Sequence, residues 1–339
     1  MIMLFKNHTE RHGVLMNHLF HNIKPQKIEK TKSLTVGIPR AFCYHQHGRL
    51  WENFFTMLGC NVVVSSCTNQ HIIDLGVKNI SSEACLPVKV MAGHVLSLID
   101  KTDVIFIPRY VTTDKNEFTC PEICSLPDMI KLSVKPKFEM MEISLDLHHG
   151  LEKTEQSLTH VAKRLELDES IVRSAFLKAV KNRLRSDMEV ATMETTTLEA
   201  VKTPTIALLG HPYMIGDGYI SMDITSKLKS HGYKVVTPSN LDYSTKRENA
   251  YPYEGRIFYG AGLENLGSAF YFARQQNIKG IIFLTPFACG VDSLVTEFIE
   301  RHLKTIKNVI PYMKITIDEH TGEAGFDTRI EAFLDMIGE

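Results

Sequence analysis

The chain has 339 residues, of which 44% are hydrophobic and 23% are charged, and its formal net charge at pH 7 is -1. This length suits two domains of roughly 100 to 150 residues each, with the composition of a soluble globular protein. The near-neutral charge argues against a general nucleic-acid binder, which needs a broad basic surface. No apolar run approaches the roughly 20 residues that span a bilayer, so we expect no membrane-spanning helix.

The first 33 residues are polar and contain Pro25. They lack the apolar segment and the small-residue cleavage site of a signal peptide. We therefore expect residues 1–33 to be an N-terminal extension outside the core, and the protein to be cytoplasmic. Seven cysteines, an odd number, argue against a disulfide framework in a long chain of this kind. Reduced thiols that bind metal or react are expected instead.

Short apolar strands alternate with amphipathic helices from residue 34 to about residue 140. This alternation is typical of a parallel sheet with helices on its faces, and it predicts a first α/β domain at 34–140. Apolar residues then recur at helical spacing, which predicts a helical connector at 141–200. Strands and helices alternate again after Pro204, so that 201–339 is predicted to be a second α/β domain.

The predicted strands and helices define the fold class. We expect two Rossmann-like or flavodoxin-like parallel-sheet domains joined by the connector, with functional loops beyond the carboxyl ends of strands facing a cleft between the domains. The predicted strands are 34–38, 61–65, 103–107, 205–209, 233–236, 280–284 and 312–316. The predicted helices include 69–75, 89–99, 219–230, 262–275, 291–304 and 327–337.

Three cysteines lie in such loops beside proline or glycine: Cys85, Cys120 and Cys289. A cuboidal iron-sulfur cluster needs soft thiolate ligands from several directions, which separated loops supply. The chain contains no C-x-x-C motif, so the spacing of the cysteines leaves metal binding open. Cys124 is close enough to Cys120 to be a fourth ligand or a redox neighbour.

The other three cysteines have a simpler interpretation. Cys43, Cys60 and Cys67 lie within or beside apolar segments, where a free cysteine usually packs as a small hydrophobic residue. We therefore predict a packing role for them.

Several strings occur in one order between residues 34 and 339 and resemble the activase-associated family related to the iron-sulfur subunits of 2-hydroxyacyl-CoA dehydratases and benzoyl-CoA reductases. The strings are VGIPR at 36–40, EACLPVK at 83–89, IPR at 107–109, CP at 120–121 followed by LPD at 126–128, GHPY at 210–213, PFACG at 286–290 and DEHTGEAG at 318–325. The chain looks closer to the activase-associated branch than to dehydratase subunits, so a substrate is not carried over.

The resemblance implies that Cys85, Cys120 and Cys289 ligate a [4Fe-4S] cluster or, as in some members, a double-cubane iron-sulfur cluster. It also implies electron transfer from an ATP-dependent activase of the actin-like ATPase fold. The protein would then reduce or dehydrate a small-molecule or acyl-CoA substrate in anaerobic metabolism, as an iron-sulfur lyase or reductase. A homodimer and a heterodimer are both left open.

Polar residues after the last predicted strand are candidate catalytic residues. Glu319, His320 and Glu323 would serve acid-base chemistry on a substrate or hydrogen bonding to the cluster. Capping and ordinary hydrogen bonding explain them equally well. The same two interpretations apply to Glu83, Lys89, Arg109, Asp128, His211 and Asp217.

Nucleotide hydrolysis by this chain itself is not expected, because it has neither a dinucleotide fingerprint nor a G-x-x-x-x-G-K-[ST] loop. The first alternative to a redox enzyme is a non-catalytic accessory or scaffold protein of an activase-dehydratase system. The second is a structural zinc site built from the same thiolates, although such sites usually take four ligands.

Overall fold

The computed structural model describes residues 33–114, 117–146, 152–198, 203–253, 257–306 and 310–338. The predicted N-terminal extension lies outside these residues, apart from Ser33. Contacts divide the chain into two units. The first comprises Met91–Glu189 with the described residues up to Ser66, and the second comprises Cys67–Val90 with Val190–Glu339. Within the described ranges, no helix combines the length and the apolar character that a membrane span requires.

The described strands agree with the main predicted strands to within two residues at each end. The other five, β4 to β8, are short additions that the sequence pattern did not indicate. In chain order the strands are β1 (Thr35–Ile38), β2 (Asn61–Val64), β3 (Val104–Phe106), β4 (Arg109–Tyr110), β5 (Thr112–Asp114), β6 (Glu117–Phe118), β7 (Met140–Met141), β8 (Ser144–Leu145), β9 (Thr205–Gly210), β10 (Lys234–Val236), β11 (Ile278–Pro286) and β12 (Tyr312–Ile317).

The described α-helices alternate with these strands. They are α1 (Tyr44–Met57), α2 (Gln70–Asn79), α3 (Leu86–Leu96), α4 (Pro121–Cys124), α5 (Leu126–Ser133), α6 (Glu152–Leu165), α7 (Glu169–Leu198), α8 (Pro212–Ile215), α9 (Ile224–Ser230), α10 (Tyr243–Ala250), α11 (Gly260–Phe272), α12 (Gly290–Leu303) and α13 (Glu323–Gly338). Short 3-10 helices occur at Ile99–Lys101, Pro238–Asn240 and Tyr251–Tyr253.

The helix predicted to start near residue 219 begins later, at Ile224. The carboxylate of Asp217 accepts the backbone N–H groups of Tyr219 and Ile220, which forms a turn. Met222 and Asp223 then have positive φ angles of 51° and 49°, a left-handed conformation that cannot continue a right-handed helix.

The first unit is built on a parallel sheet in the order β2-β1-β3-β7. Helix α1 covers it with apolar residues at helical spacing, and Leu50, Trp51, Phe54 and Phe55 are all buried. The ring of Trp51 lies 4.7 Å from that of Phe106 in β3, measured between centroids. This aromatic contact joins the helix to the sheet.

The second unit is built on a parallel sheet in the order β10-β9-β11-β12. Strand β9 is buried along its whole length and β11 is buried except at Lys279, as expected for central strands with both faces covered. Leu266 and Phe270 of α11 and Val295 of α12 pack in the same core. The α/β prediction with parallel sheets is therefore confirmed.

Residues 67–90 lie between strands of the first sheet along the chain but belong to the second unit. The Thr68 hydroxyl donates to the buried carboxylate of Asp217. At the other end of the segment, Nζ of Lys89 lies 2.6 Å from Oε1 of Glu319, and the lysine side chain is 2% exposed. These contacts place Cys85 in the same unit as Cys289.

Gly210 closes β9 in a conformation that only glycine adopts readily, with φ of +139°. A Cβ atom at this position would lie 2.5 Å from the carbonyl oxygen of Leu284 on β11. We expect Gly210→Ala to lower the free energy of unfolding by about 2 to 3 kcal/mol, because it adds both backbone strain and a clash. Urea denaturation followed by circular dichroism measures the change.

The matched control is Gly218→Ala, since a Cβ at Gly218 meets no atom within 4 Å and the residue has no positive φ. It should change the free energy of unfolding by no more than about 0.5 kcal/mol. Equal effects of the two substitutions would contradict the close approach of β9 to β11.

Candidate metal centre

The carboxyl ends of β9 and β11 adjoin at the point where the order of the second sheet reverses. The chain passes from β9 to β10 on one side of β9, whereas β11 pairs on its other side. Open α/β sheets bind ligands beyond the carboxyl ends of strands at such a reversal. His211 directly follows β9, and Cys289 follows β11 after Phe287 and Ala288.

Local backbone conformation presents Cys289 at the start of a helix. Ala288 has a φ of 66°, and Cys289 is the N-cap residue of α12. Its Sγ atom accepts the backbone N–H of Asp292 at 3.4 Å. The first turn of α12 therefore holds the sulfur of Cys289 beside Asp292.

His211, Cys289 and Asp292 form one group of metal-binding donors. Their ligand atoms all lie within 4.8 Å of one another, and Nε2 of His211 lies 3.0 Å from Oδ1 of Asp292. The Asp292 side chain is fully buried and that of His211 is 6% exposed. The imidazole ring stacks on Tyr213, with centroids 4.8 Å apart and planes inclined by 7°.

Buried polar atoms in this group lack hydrogen bonds. Within the described residues, Nε2 of His211 and both carboxylate oxygens of Asp292 have no hydrogen-bond partner. Nε2 and Oδ1 are at ion-pair distance, but their angle is not that of a hydrogen bond. Each unsatisfied buried polar atom costs about 1 to 3 kcal/mol.

The charge state of His211 reflects its neighbours. Burial by itself would lower the pKa of the imidazole, but the Asp292 carboxylate and the Cys289 sulfur outweigh burial and raise the pKa to about 10. In the protein without a metal, the imidazole therefore carries a positive charge near pH 7 and pairs with Asp292.

The other two predicted ligands share the local setting of Cys289. Cys85 is buried and immediately precedes α3, and Cys120 is half-buried and is the N-cap residue of α4. Each of the three candidate cysteines is therefore the residue before a helix. Cys85 and Cys289 belong to the second unit and Cys120 to the first.

The cysteines predicted to pack differ from one another. Cys43 and Cys60 are half-buried, and burial raises the pKa of the Cys43 thiol to about 12 and that of Cys60 to about 11. Cys67 is exposed, so its predicted packing role is wrong. Cys67 follows β2 after Ser65 and Ser66, and it is the first residue of the segment that belongs to the second unit.

The predicted catalytic residues lie in and after the loop that follows β12. Ile317 at the end of β12 pairs with Pro286 at the end of β11, so this loop leaves the sheet at the same edge as Cys289. Oε1 of Glu319 accepts a hydrogen bond from buried Lys89, and Glu323 pairs with Lys227 at 2.7 Å. His320 is exposed.

These contacts explain the electrostatics of Glu319. Burial alone would raise the pKa of its carboxyl group, but the hydrogen bond and charge of Lys89, a backbone hydrogen bond and the charge of His320 together outweigh burial and hold the pKa below its usual value. Glu319, His320 and Glu323 are not members of the donor group formed by His211, Cys289 and Asp292.

The corresponding edge of the first sheet has a different chemistry. The order of that sheet also reverses, between β1 and β3, but the cavity at this edge is small and mainly apolar. Its lining includes Ile38, Cys43, Trp51, Phe106 and Tyr110. The buried donor group found at the edge of the second sheet is not repeated among these lining residues.

Sequence reasoning missed Asp292 and treated His211 only as one of several polar loop residues. The available signal was the spacing Cys289-x-x-Asp292 at a predicted helix start, because the first turn of a helix brings the N-cap side chain close to the third helical residue. His211 becomes a partner only through the pairing of β9 with β11, which a single sequence does not reveal.

Comparisons with known proteins give two family matches. Residues 35–241, more than half of the chain, match the profile described as CoA enzyme activase uncharacterised domain (DUF2229). Residues 265–337, which contain Cys289 and Asp292, match 2-hydroxyglutaryl-CoA dehydratase, D-component. A search of curated proteins gives no match.

Solved structures give weak similarities. One is a protein assigned as sugar-binding from Salmonella typhimurium LT2, with 11% identity, coverage of 92% of this chain and 88% of that chain, and a TM-score of 0.27. Another is the C-terminal domain of glucosamine-fructose-6-phosphate aminotransferase from Francisella tularensis, with 10% identity, coverage of 94% and 89%, and a TM-score of 0.27. Similarity at this level carries no argument about the chain.

The ion pair between Lys89 and Glu319 should contribute to stability. We expect Glu319→Gln to lower the free energy of unfolding by about 3 kcal/mol, because it leaves a buried ammonium group without its counter-charge. Urea denaturation of the two proteins at pH 7 measures the difference.

Glu300→Gln is the matched control, since Glu300 pairs with Lys304 on the exposed face of α12. It should cost no more than about 0.5 kcal/mol. If Glu319→Gln were as mild as Glu300→Gln, the pair with Lys89 would not be a structural contact.

Proposed function

Because the chain belongs to the family of the CoA enzyme activase uncharacterised domain, within the dehydratase and activase superfamily, we propose that it is an iron-sulfur redox protein. It receives low-potential electrons from an ATP-dependent activase of the actin-like ATPase fold. It uses them to reduce or dehydrate a small substrate, and an acyl-CoA is the substrate class that the names of the matched families suggest.

The proposed cluster ligands are Cys85, Cys120 and Cys289, which hold a [4Fe-4S] or a double-cubane cluster. The observation that carries the proposal is their common setting, since each lies directly before a helix and close to proline or glycine, where the backbone can direct sulfur toward iron. Three cysteine sulfurs therefore fit an iron-sulfur cluster as its ligands. A bound cluster supplies one-electron chemistry at low potential, and the protein determines its ligation and surroundings.

Other residues of the chain support this site through contacts of their own. Lys89, in the helix that starts after Cys85, forms its ion pair with Glu319 and so holds that helix against the loop after β12. We assign Glu319 and Glu323 to positioning this loop through their lysine partners. His320, exposed in the same loop, is the proposed proton donor or acceptor for a substrate.

Oxygen-free reconstitution with iron and sulfide tests the cofactor. The wild-type chain is expected to bind about four iron and four sulfide, or about twice as many for a double cubane, with broad visible absorption. Cys85→Ala, Cys120→Ala and Cys289→Ala should each lose most of the bound iron and the electron paramagnetic resonance signal of the reduced cluster. Cys67→Ala, which removes an exposed thiol, is the matched control and should retain both.

The electron donor is tested with a purified activase of the actin-like ATPase fold. Reduction of the cluster should require ATP, and the reduced signal should stay absent with ADP. A wild-type chain that binds the activase but holds no iron or sulfide would establish an accessory protein and refute the redox function. Retention of the cluster in all three alanine variants would refute the ligand assignment.

A further inference from the structure

The second unit contains a complete set of metal donors that does not depend on Cys120. The Nε2 atom of His211, the Sγ atom of Cys289 and the Asp292 carboxylate lie within 4.8 Å of one another. All three residues belong to the second unit, and they reach one point from two neighbouring strand ends. Three protein donors are the number that an open zinc-type site uses.

Burial distinguishes this group from a surface cluster of polar residues. Asp292 and His211 are both buried. In the described part of the chain, both Asp292 oxygens and Nε2 of His211 lack a hydrogen bond. Buried donor atoms that face one another without hydrogen bonds are an arrangement that a bound ion can satisfy.

Charge and ligand type restrict what could bind. A thiolate and a carboxylate together carry two negative charges, and a neutral imidazole adds none, so a divalent cation gives a neutral buried centre. A thiolate and an imidazole suit zinc or ferrous iron, whereas magnesium and calcium prefer oxygen ligands alone. The ligand is therefore expected to be a divalent transition-metal ion.

We propose that, when no cluster is bound, His211, Cys289 and Asp292 bind one divalent transition-metal ion through Nε2, Sγ and a carboxylate oxygen. A fourth coordination position remains open to solvent or to a small ligand. The backbone N–H of Asp292 donates to Sγ and holds the thiolate in place.

This metal position goes beyond the proposed redox function, because it forms from the second unit alone and needs neither Cys85 nor Cys120 as a ligand. The two sites share Cys289, so the ion and the cluster use that thiolate in alternative states of the protein. The failure of either proposal therefore leaves the other open to test.

Cobalt(II) is a suitable probe for the cluster-free chain. Oxygen-free titration of the wild type should give one cobalt per chain, with a sulfur-to-cobalt charge-transfer band and the visible bands of a four-coordinate ion. X-ray absorption should find a single sulfur ligand at about 2.3 Å together with nitrogen and oxygen ligands. This measurement on the wild type needs no variant to fold.

Substitutions assign the ligands. Cys289→Ala should abolish the charge-transfer band. His211→Gln and Asp292→Asn should each weaken cobalt binding by about 100-fold or more, which is at least the loss expected when a residue that only supports a ligand is replaced. The double variant Cys85→Ala/Cys120→Ala should bind cobalt as the wild type does. His231→Gln is the matched histidine control, because His231 is exposed and lies outside the donor group.

Four results would overturn the proposal: no stoichiometric binding by the wild type, more than one sulfur ligand, unchanged binding in His211→Gln and Asp292→Asn, or loss of binding in the Cys85→Ala/Cys120→Ala variant. Iron and sulfide uptake is measured in a separate experiment, so a chain that binds cobalt as expected but takes up no cluster would refute only the redox function.

Discussion

The parallel pairing of β9 with β11 is the constraint on which the candidate metal centre depends. Because the two strands run in the same direction, their carboxyl ends lie side by side, and the residues that follow them meet at one edge. Gly210 allows β9 to end against the backbone of Leu284. His211 and Cys289, separated by 77 intervening residues of sequence, become neighbours only through this pairing.

The same edge shows how a fold can tolerate poor local energetics at a site. A buried aspartate whose oxygens make no hydrogen bond within the described part of the chain, beside a buried imidazole at ion-pair distance, is costly compared with the apolar packing around it. Strands β9 and β11, which are buried along nearly their whole length, form the apolar core beside this site. Departures from full polar satisfaction in an otherwise well-packed unit are typical of functional positions.

Much of the architecture could be predicted from sequence because each strand is a short apolar run between turn residues. The apolar runs predicted strands at 205–209 and 280–284, and the structure has them at Thr205–Gly210 and Ile278–Pro286. The periodicity could not predict that residues 67–90 belong to the second unit. An amphipathic helix such as α2 has the same apolar pattern whichever core it packs against. The segment contacts the second unit through single polar pairs such as that of Thr68 with Asp217. Such pairs leave no periodic pattern in the sequence.

Some of the candidate ligands could be predicted from the sequence and one could not. The cysteines were identifiable because proline or glycine beside a loop cysteine is visible in the sequence, and because the strings around Cys85 and Cys289 resemble a known family. Asp292 was missed, since an acidic residue in the first turn of a helix is ordinarily read as a favourable interaction with the helix dipole. The burial that distinguishes Asp292 from such a residue depends on tertiary packing, which a single sequence does not reveal.

The assignment of 67–90 to the second unit has a consequence for biosynthesis. The ribosome synthesises this segment long before strands β9 to β11, which belong to the same unit. Thr68 is 149 residues from Asp217 along the chain, and Lys89 is 230 residues from Glu319. Cys85 therefore leaves the exit tunnel before most of the unit to which it belongs has been synthesised, so the later residues of that unit cannot contact its thiol during that interval.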